Sequence, residues 1–160
     1  MKSCIYREYQ RANTDPTEYG LSSLGDCAIV NITSNDTITN DIVNGVQITG
    51  TYSSVPIGTT VYKYGSTTGY AWGNVLFVGL RLNYGPGDMY HVGGLTCIPM
   101  QNAAGTAAIG GGDSGGPVWR SDTGSNLIHG IITAGKDTNN TVYTTPIYYS
   151  IYQGFQPKLD

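Results

Sequence analysis

Apolar, β-branched and aromatic residues come in short runs along this chain, separated by clusters rich in Gly, Asn, Asp and Thr. From Thr51 onward the runs predict strands at Thr59–Tyr64, Tyr70–Leu82, Met89–Ile98, Pro117–Arg120, Leu127–Ala134 and Val142–Ile147. Turn clusters separate them, among them Tyr64-Gly65-Ser66-Thr67-Thr68-Gly69, Tyr84-Gly85-Pro86-Gly87-Asp88 and Asp137-Thr138-Asn139-Asn140. Six strands joined by short loops predict a closed barrel. Earlier in the chain, Cys4–Tyr9 is followed by a polar loop through Thr14–Thr17, by Cys27–Ile32, an apolar β-prone run short enough to be a strand, and by a polar loop or linker over Thr33–Asn44. A soft boundary near Gly50 divides the chain into sections 1–50 and 51–160. Near the end, Thr145–Tyr152 reads either as a short helix, capped by Thr145 with Pro146 in its first position, or as one more aromatic strand.

Composition sharpens the fold class to all-β. Only 12% of residues are charged, there are 23 glycines, and Tyr, Thr, Val and Ile recur throughout, as in short strands joined by tight turns. A length of 160 residues suits one ordinary domain or two very small ones. The net charge of −3, with eight basic residues scattered singly, offers no footprint for nucleic acid or an anionic membrane surface. No run of 18 apolar residues is present, and residues 1–8 lack the apolar core of a signal peptide. Cys4, Cys27 and Cys97 lack the close pairing and His neighbours of a zinc site. Three cysteines allow one disulfide and leave at least one thiol over, with the pairing open. Sequons at Asn31, Asn35 and Asn139 are weak signals in so Thr-rich a chain.

The chemistry concentrates in Gly110-Gly111-Gly112-Asp113-Ser114-Gly115-Gly116-Pro117, a glycine-dense turn that presents one serine among backbone amides. A serine hydroxyl becomes a useful nucleophile only with a base to take its proton and donors aimed at the developing oxyanion. The run Gly112–Pro117, followed by Val118-Trp119, resembles the nucleophile signature of chymotrypsin-like serine proteases. That resemblance implies two six-stranded β-barrels facing each other, an oxyanion hole from the N–H groups of Gly112 and Ser114, and a structural role for Asp113. The stretch Val61–Tyr70 is similar to the opening hairpin of the second barrel in bacterial streptogrisin-type enzymes. By the same resemblance, section 51–160 is the complete second barrel and section 1–50 the closing part of the first with the linker.

The family also carries a buried aspartate that orients its catalytic histidine, placed before a short apolar strand and upstream of the serine. Asp26, in Gly25-Asp26-Cys27-Ala28-Ile29-Val30, fits that pattern. The family order is His, Asp, Ser, yet no histidine precedes Asp26; the two present are His91 and His129. Both read as strand residues whose ring nitrogens meet backbone or water. The resemblance further implies that Ala107, Ala108 and Ile109 form the floor of the primary side-chain pocket, with Thr133, Ala134 and Gly135 as its wall and the partner of substrate backbone. No acid occupies the floor, which points to uncharged, apolar or medium-sized substrate side chains.

The expectation is therefore the C-terminal portion of a secreted serine endopeptidase acting on polypeptides through Ser114 and Asp26. No cofactor or metal is implied, and the histidine is expected from an upstream segment or a partner chain. The competing reading is a non-catalytic protease homologue that binds peptide or protein through the same cleft, and an unrelated adhesive β-domain ranks behind both.

Overall fold

The computed structural model describes residues 21–24, 39–42, 45–84 and 90–147, with side chains left out of account at 21–24, 84 and 90–93. Among the described residues, eleven strands run in chain order: β1 Leu21–Leu24, β2 Asp41–Ile42, β3 Val46–Gln47, β4 Gly50–Thr51, β5 Thr60–Gly65, β6 Gly69–Asn74, β7 Phe77–Tyr84, β8 Tyr90–Gln101, β9 Pro117–Asp122, β10 Ser125–Lys136 and β11 Thr141–Pro146. A 3-10 turn, Asp137–Asn139, connects the last two. Among the described residues no helix is long and apolar enough to cross a membrane.

Six of these strands close a barrel. The hydrogen-bonded order is β8-β11-β10-β9-β5-β6, and β6 returns to β8 through the pairs Trp72↔Gln101 and Gly73↔Met100. The expected six-stranded barrel is thus present, with one strand placed differently. The predicted run Tyr70–Leu82 is two strands, β6 and β7, broken where Val75 and Leu76 leave the ladder. There Val75 donates its N–H to the Thr59 carbonyl (2.9 Å) and Leu76 to the Cys97 carbonyl (2.9 Å). β7 folds back on β8 as an antiparallel arm outside the barrel path, and β1 pairs with β8 in parallel. At the other end of the chain, Thr145 and Pro146 still pair as the end of β11, as far as Gly130↔Pro146, and the next residue, Ile147, is helical. Residues 148–160 lie outside the described residues.

The period-two alternation of the strands sets which side chains fill the barrel. Val61, Ala71, Ile98, Met100, Val118, Ile132 and Val142 point inward and pack with Val55, Val75, Ala108 and Ile109. Fully burying a side chain of this kind contributes roughly 1.5–3 kcal/mol each. A second cluster lies on the outer face, where Trp119 and Ile128 pack with Ile48 under the β2–β3 hairpin. Both Val118 and Trp119 are buried because β9 is covered on both sides. Next to Trp119, Tyr62, Tyr70 and Trp72 continue an aromatic stripe with ring centroids 5.9 to 6.2 Å apart. β4 extends this layer by pairing in parallel with Leu127 and Ile128 of β10.

Candidate active site

The chain between β8 and β9, residues 102–116, carries the candidate site. It has two parts, each fastened to a different strand pair. The first, 102–109, folds on Asn102, whose Oδ1 accepts from the Thr106 N–H (3.1 Å) and whose Nδ2 donates to the Ala107 carbonyl (3.1 Å). Its inner end is pinned by Asn140. This residue, left-handed at φ 50°, accepts the Ala108 N–H on its side chain (2.9 Å) and the Met100 N–H on its carbonyl (2.8 Å). Ala107 is exposed, whereas Ala108 is 0% and Ile109 3% exposed.

The second part is the serine turn. Asp113 donates its N–H to the Gly110 carbonyl (3.1 Å), Gly116 donates to the Asp113 carbonyl (3.0 Å), and Gly115 donates to the Ile132 carbonyl of β10 (2.8 Å). Ile132 in turn donates to the Gly116 carbonyl (2.9 Å), so the chain on either side of Ser114 is fixed while Ser114 itself is exposed. Gly112 (φ 98°) and Gly115 (φ 83°) occupy backbone conformations that strain other residues, which accounts for the glycines on both sides of the Asp113-Ser114 pair. Among the described residues, the N–H groups of Gly112 and Ser114 donate to no protein acceptor.

Beneath this turn lies a buried ion pair. Asp113 and Lys63 are both 0% exposed, and Lys63 Nζ sits 3.0 Å from Asp113 Oδ2. The same oxygen accepts from the Thr68 hydroxyl (2.5 Å) and the Gly110 N–H (3.2 Å), while Oδ1 accepts from the N–H groups of Thr67 (2.8 Å) and Thr68 (3.0 Å). Lys63 also donates to the Thr68 hydroxyl. Burial alone would raise the Asp113 carboxyl, but the Thr68 hydroxyl and amide, the Lys63 ammonium and the Thr67 amide outweigh it and hold the group down to about 2. Gly65 makes the approach possible, since a Cβ there would lie 2.2 Å from Asp113 Cγ. Sequence reasoning gave Asp113 a structural role and missed its partner. The signal was available: Lys63 shares its face of β5 with the inward Val61, but a lysine in a strand reads by default as solvent-facing.

The expected pocket wall is on β10. Thr133 and Ala134 are half-buried and Gly135 is exposed; Thr133 sits at a bulge, with its hydroxyl 2.6 Å from that of Thr145. On one side Ala134 and Gly135 pair with Tyr143 and Val142 of β11; on the other, the β9 ladder ends at Ile131↔Pro117, so among the described strands none covers that edge. The residues expected as floor and wall meet at Gly135, where an added Cβ would lie 2.2 Å from Ile109 Cγ1.

Of the remaining sequence candidates, Asp26, Cys4 and Cys27 lie outside the described residues. His91 belongs to β8 at a position whose side chain is likewise outside them. His129 lies within β10. It occupies a bulge in the β9–β10 pairing, is 1% exposed, and places Nδ1 3.4 Å from the Tyr52 carbonyl and Nε2 3.1 Å from the Thr96 hydroxyl. A neutral ring with its proton on Nδ1 donates to Tyr52 and accepts from Thr96. Desolvation lowers its pKa to about 4, against a smaller raising effect of the Tyr52 carbonyl. Both nitrogens being engaged inside the fold, His129 is a structural residue. Cys97 is a buried free thiol, and among the described residues no cluster of three or more His, Cys, Asp or Glu side chains is placed to hold a metal.

With this arrangement in view, comparison with known families matches residues 6–157 to the family Trypsin. The chain belongs to the trypsin family. Trypsin-fold structures that resemble it are bacterial serine proteases of the chymotrypsin type, in agreement with the streptogrisin-like character of the Val61–Tyr70 hairpin. Thermobifida fusca Protease A is 32% identical with a TM-score of 0.61, covering 79% of this chain and 64% of that one. Nocardiopsis protease is 26% identical with a TM-score of 0.62, covering 79% of this chain and 63% of that one. A glutamic acid specific serine protease, described as utilizing a novel histidine triad in substrate binding, is 26% identical with a TM-score of 0.64, covering 84% of this chain and 68% of that one. This trypsin-family chain therefore spans less than two thirds of the first two proteins. Comparison with the curated proteins finds no match.

Proposed function

We propose that the chain is the nucleophile-bearing portion of a secreted serine endopeptidase, completed by a histidine from outside these 160 residues. Ser114 Oγ attacks the carbonyl carbon of a peptide bond as the histidine takes its proton. The oxyanion rests on the N–H groups of Gly112 and Ser114, and collapse breaks the C–N bond as the histidine returns the proton to the leaving amine. Water then repeats the sequence on the acyl-enzyme. Asp26 holds the histidine, and section 1–50 is the closing part of the first barrel. Polypeptide is the substrate, its backbone running along the uncovered edge of Thr133-Ala134-Gly135 and its side chain directed to Ala108 and its neighbours.

The observation that carries this reading is the serine turn itself. Ser114 is exposed between two fastened stretches of chain, with the Gly112 and Ser114 amides donating to no acceptor among the described residues. A binding module has no physical need for that combination. The engagement of both His129 nitrogens favours the second reading, a non-catalytic homologue that binds peptide at the same edge. A peptide-hydrolysis assay separates the two. The chain alone is expected to retain only the residual enhancement of its oxyanion donors, on the order of a thousandfold over water. Joined to coding sequence that supplies a histidine, it is expected to turn over peptides in a manner abolished by Ser114→Ala. Robust, Ser114-dependent turnover by the chain alone would locate the base within it and refute the external histidine. Turnover of the longer protein that survives Ser114→Ala would refute the nucleophile.

A further inference from the structure

We infer that Thr67, in the turn between β5 and β6, is a positioning residue of the oxyanion hole: by holding the Gly111 carbonyl, it keeps the Gly112 N–H turned toward the place where the oxyanion forms. This rests on the proposed function, and adds to it the residue on which the aim of one donor depends.

Three observations carry it. First, the Gly111–Gly112 peptide has a single hold. The Thr67 hydroxyl donates to the Gly111 carbonyl at 2.6 Å, and among the described residues this is the only hydrogen bond that peptide makes, since the Gly112 N–H donates to no acceptor. The peptide is trans and planar, so its carbonyl and its N–H point in opposite directions. With the carbonyl held to the β5–β6 turn, the N–H faces away from that turn. Second, the chain around this peptide does not itself fix the plane. Gly110, Gly111 and Gly112 carry no side chains, and glycine adopts either sign of φ readily, so the peptide can turn over at little steric cost. The neighbouring Gly110 is already committed, its carbonyl to the Asp113 N–H (3.1 Å) and its N–H to Asp113 Oδ2 (3.2 Å), which confines such a turnover to one peptide. Third, Thr67 is a fixed post. Its own N–H donates to Asp113 Oδ1 at 2.8 Å, and its β-branch leaves it stiff at χ1. A Cβ on Gly110 would lie 3.5 Å from the Thr67 methyl and one on Gly112 2.6 Å from the Thr67 hydroxyl, so the side chain lies along this backbone with its hydroxyl at the Gly112 end. The β5–β6 turn thus holds Asp113 mainly through main-chain N–H groups and the Thr68 hydroxyl, and the donor peptide through Thr67 alone.

A peptide boronic acid ending in boro-alanine tests this without a leaving group to protonate. Ser114 Oγ forms the B–O bond, its proton goes to solvent, and boron becomes a tetrahedral anion that resembles the intermediate of acyl transfer. The probe is titrated into the 160-residue chain and followed by boron NMR, while amide nitrogen relaxation dispersion reports on Gly112. Thr67→Val keeps the shape of the side chain and removes the hydroxyl; Thr67→Ser keeps the hydroxyl. Neither touches the Thr67 N–H that holds Asp113, so urea unfolding of both should match the parent, and Thr67→Ala serves in place of Thr67→Val if the latter does not fold. Losing one such hydrogen bond should weaken the adduct roughly three- to tenfold. That is well short of the roughly 10²- to 10³-fold effect of removing an oxyanion donor outright. Exchange at the Gly112 amide should appear in Thr67→Val and be absent from the parent and from Thr67→Ser, which should also recover most of the affinity. A Ser114-dependent adduct as tight in Thr67→Val as in the parent would overturn this inference and leave the proposed function standing. So would a weaker adduct with Gly112 unchanged, or a loss that Thr67→Ser does not repair. Absence of any Ser114-dependent adduct in the parent would overturn the proposed site, and this inference with it.

Discussion

Replacing Lys63 with Met tests whether the buried pair under the serine turn is structural. Methionine keeps much of the lysine's length and apolar stem while removing the ammonium, so Asp113 stays in a site where both partners' side chains are 0% exposed. Removing one member of a buried pair costs about 3–5 kcal/mol, because the other charge is left uncompensated. The Asp113 carboxylate keeps its other donors, the Thr67, Thr68 and Gly110 N–H groups and the Thr68 hydroxyl, which places the loss at the lower end, about 3 kcal/mol. In a chain of this length that lowers the melting temperature by roughly 6–12 °C. Urea unfolding at pH 7 measures the difference directly. Its pH dependence supplies the sign check. Asp113 titrates at about 2 in the fold, below its ordinary 3.8, so its contribution is present above pH 4 and lost as pH falls toward 2. Without Lys63 the carboxyl protonates earlier on acidification and the stranded charge disappears. The gap between parent and variant should therefore be widest at neutral pH and narrow as pH falls through 4. A loss below about 1 kcal/mol at pH 7, or a gap that stays constant across that range, would refute the reasoning.

Two further outcomes follow from the same packing. His129, neutral in the fold with a pKa of about 4 against an ordinary 6.5, disfavours the folded state wherever the unfolded chain binds the extra proton. Stability should be full above pH 6.5 and decline by about 3 kcal/mol as pH falls from 6.5 to 4, and His129→Gln should flatten that decline in denaturant titrations across the window. Gly65→Ala drives a methyl to 2.2 Å from Asp113 Cγ and should cost about 2–3 kcal/mol in thermal or urea unfolding; a neutral outcome would show that the turn shifts freely away from β5.

Much of the barrel was legible because alternation and turn residues agree along it. The predicted runs at Thr59–Tyr64, Met89–Ile98 and Leu127–Ala134 lie within or one residue outside observed strands. The division of Tyr70–Leu82 was hinted at only by Gly73-Asn74 just before the break; what sets it is tertiary, since Val75 and Leu76, both β-prone, leave the ladder for partners at Thr59 and Cys97. Thr145-Pro146 carries helix-start chemistry, and although both still pair with β10, the chain turns helical at Ile147 directly after them. At the site, Ser114 and its glycines announced themselves, since each glycine answers to a local backbone demand. Lys63 did not, because its role depends on a carboxylate 50 residues away in sequence. Asp26 rests on the family resemblance, as it falls outside the described residues.

Asn140 has an implication for how this site accommodates change. One residue holds the inner end of the 102–109 segment to the β10–β11 turn, while the tip around Gly105 is exposed and closes only on Asn102. Length is therefore decoupled from position. Residues inserted near Gly105 would be absorbed as extra loop at small entropic cost before the chain reaches Ala108, leaving Ile109 and the serine turn in place. The same fold can thus lengthen or reshape the rim beside the serine turn while the turn itself stays put, which marks the Gly105 tip as a place to graft new segments.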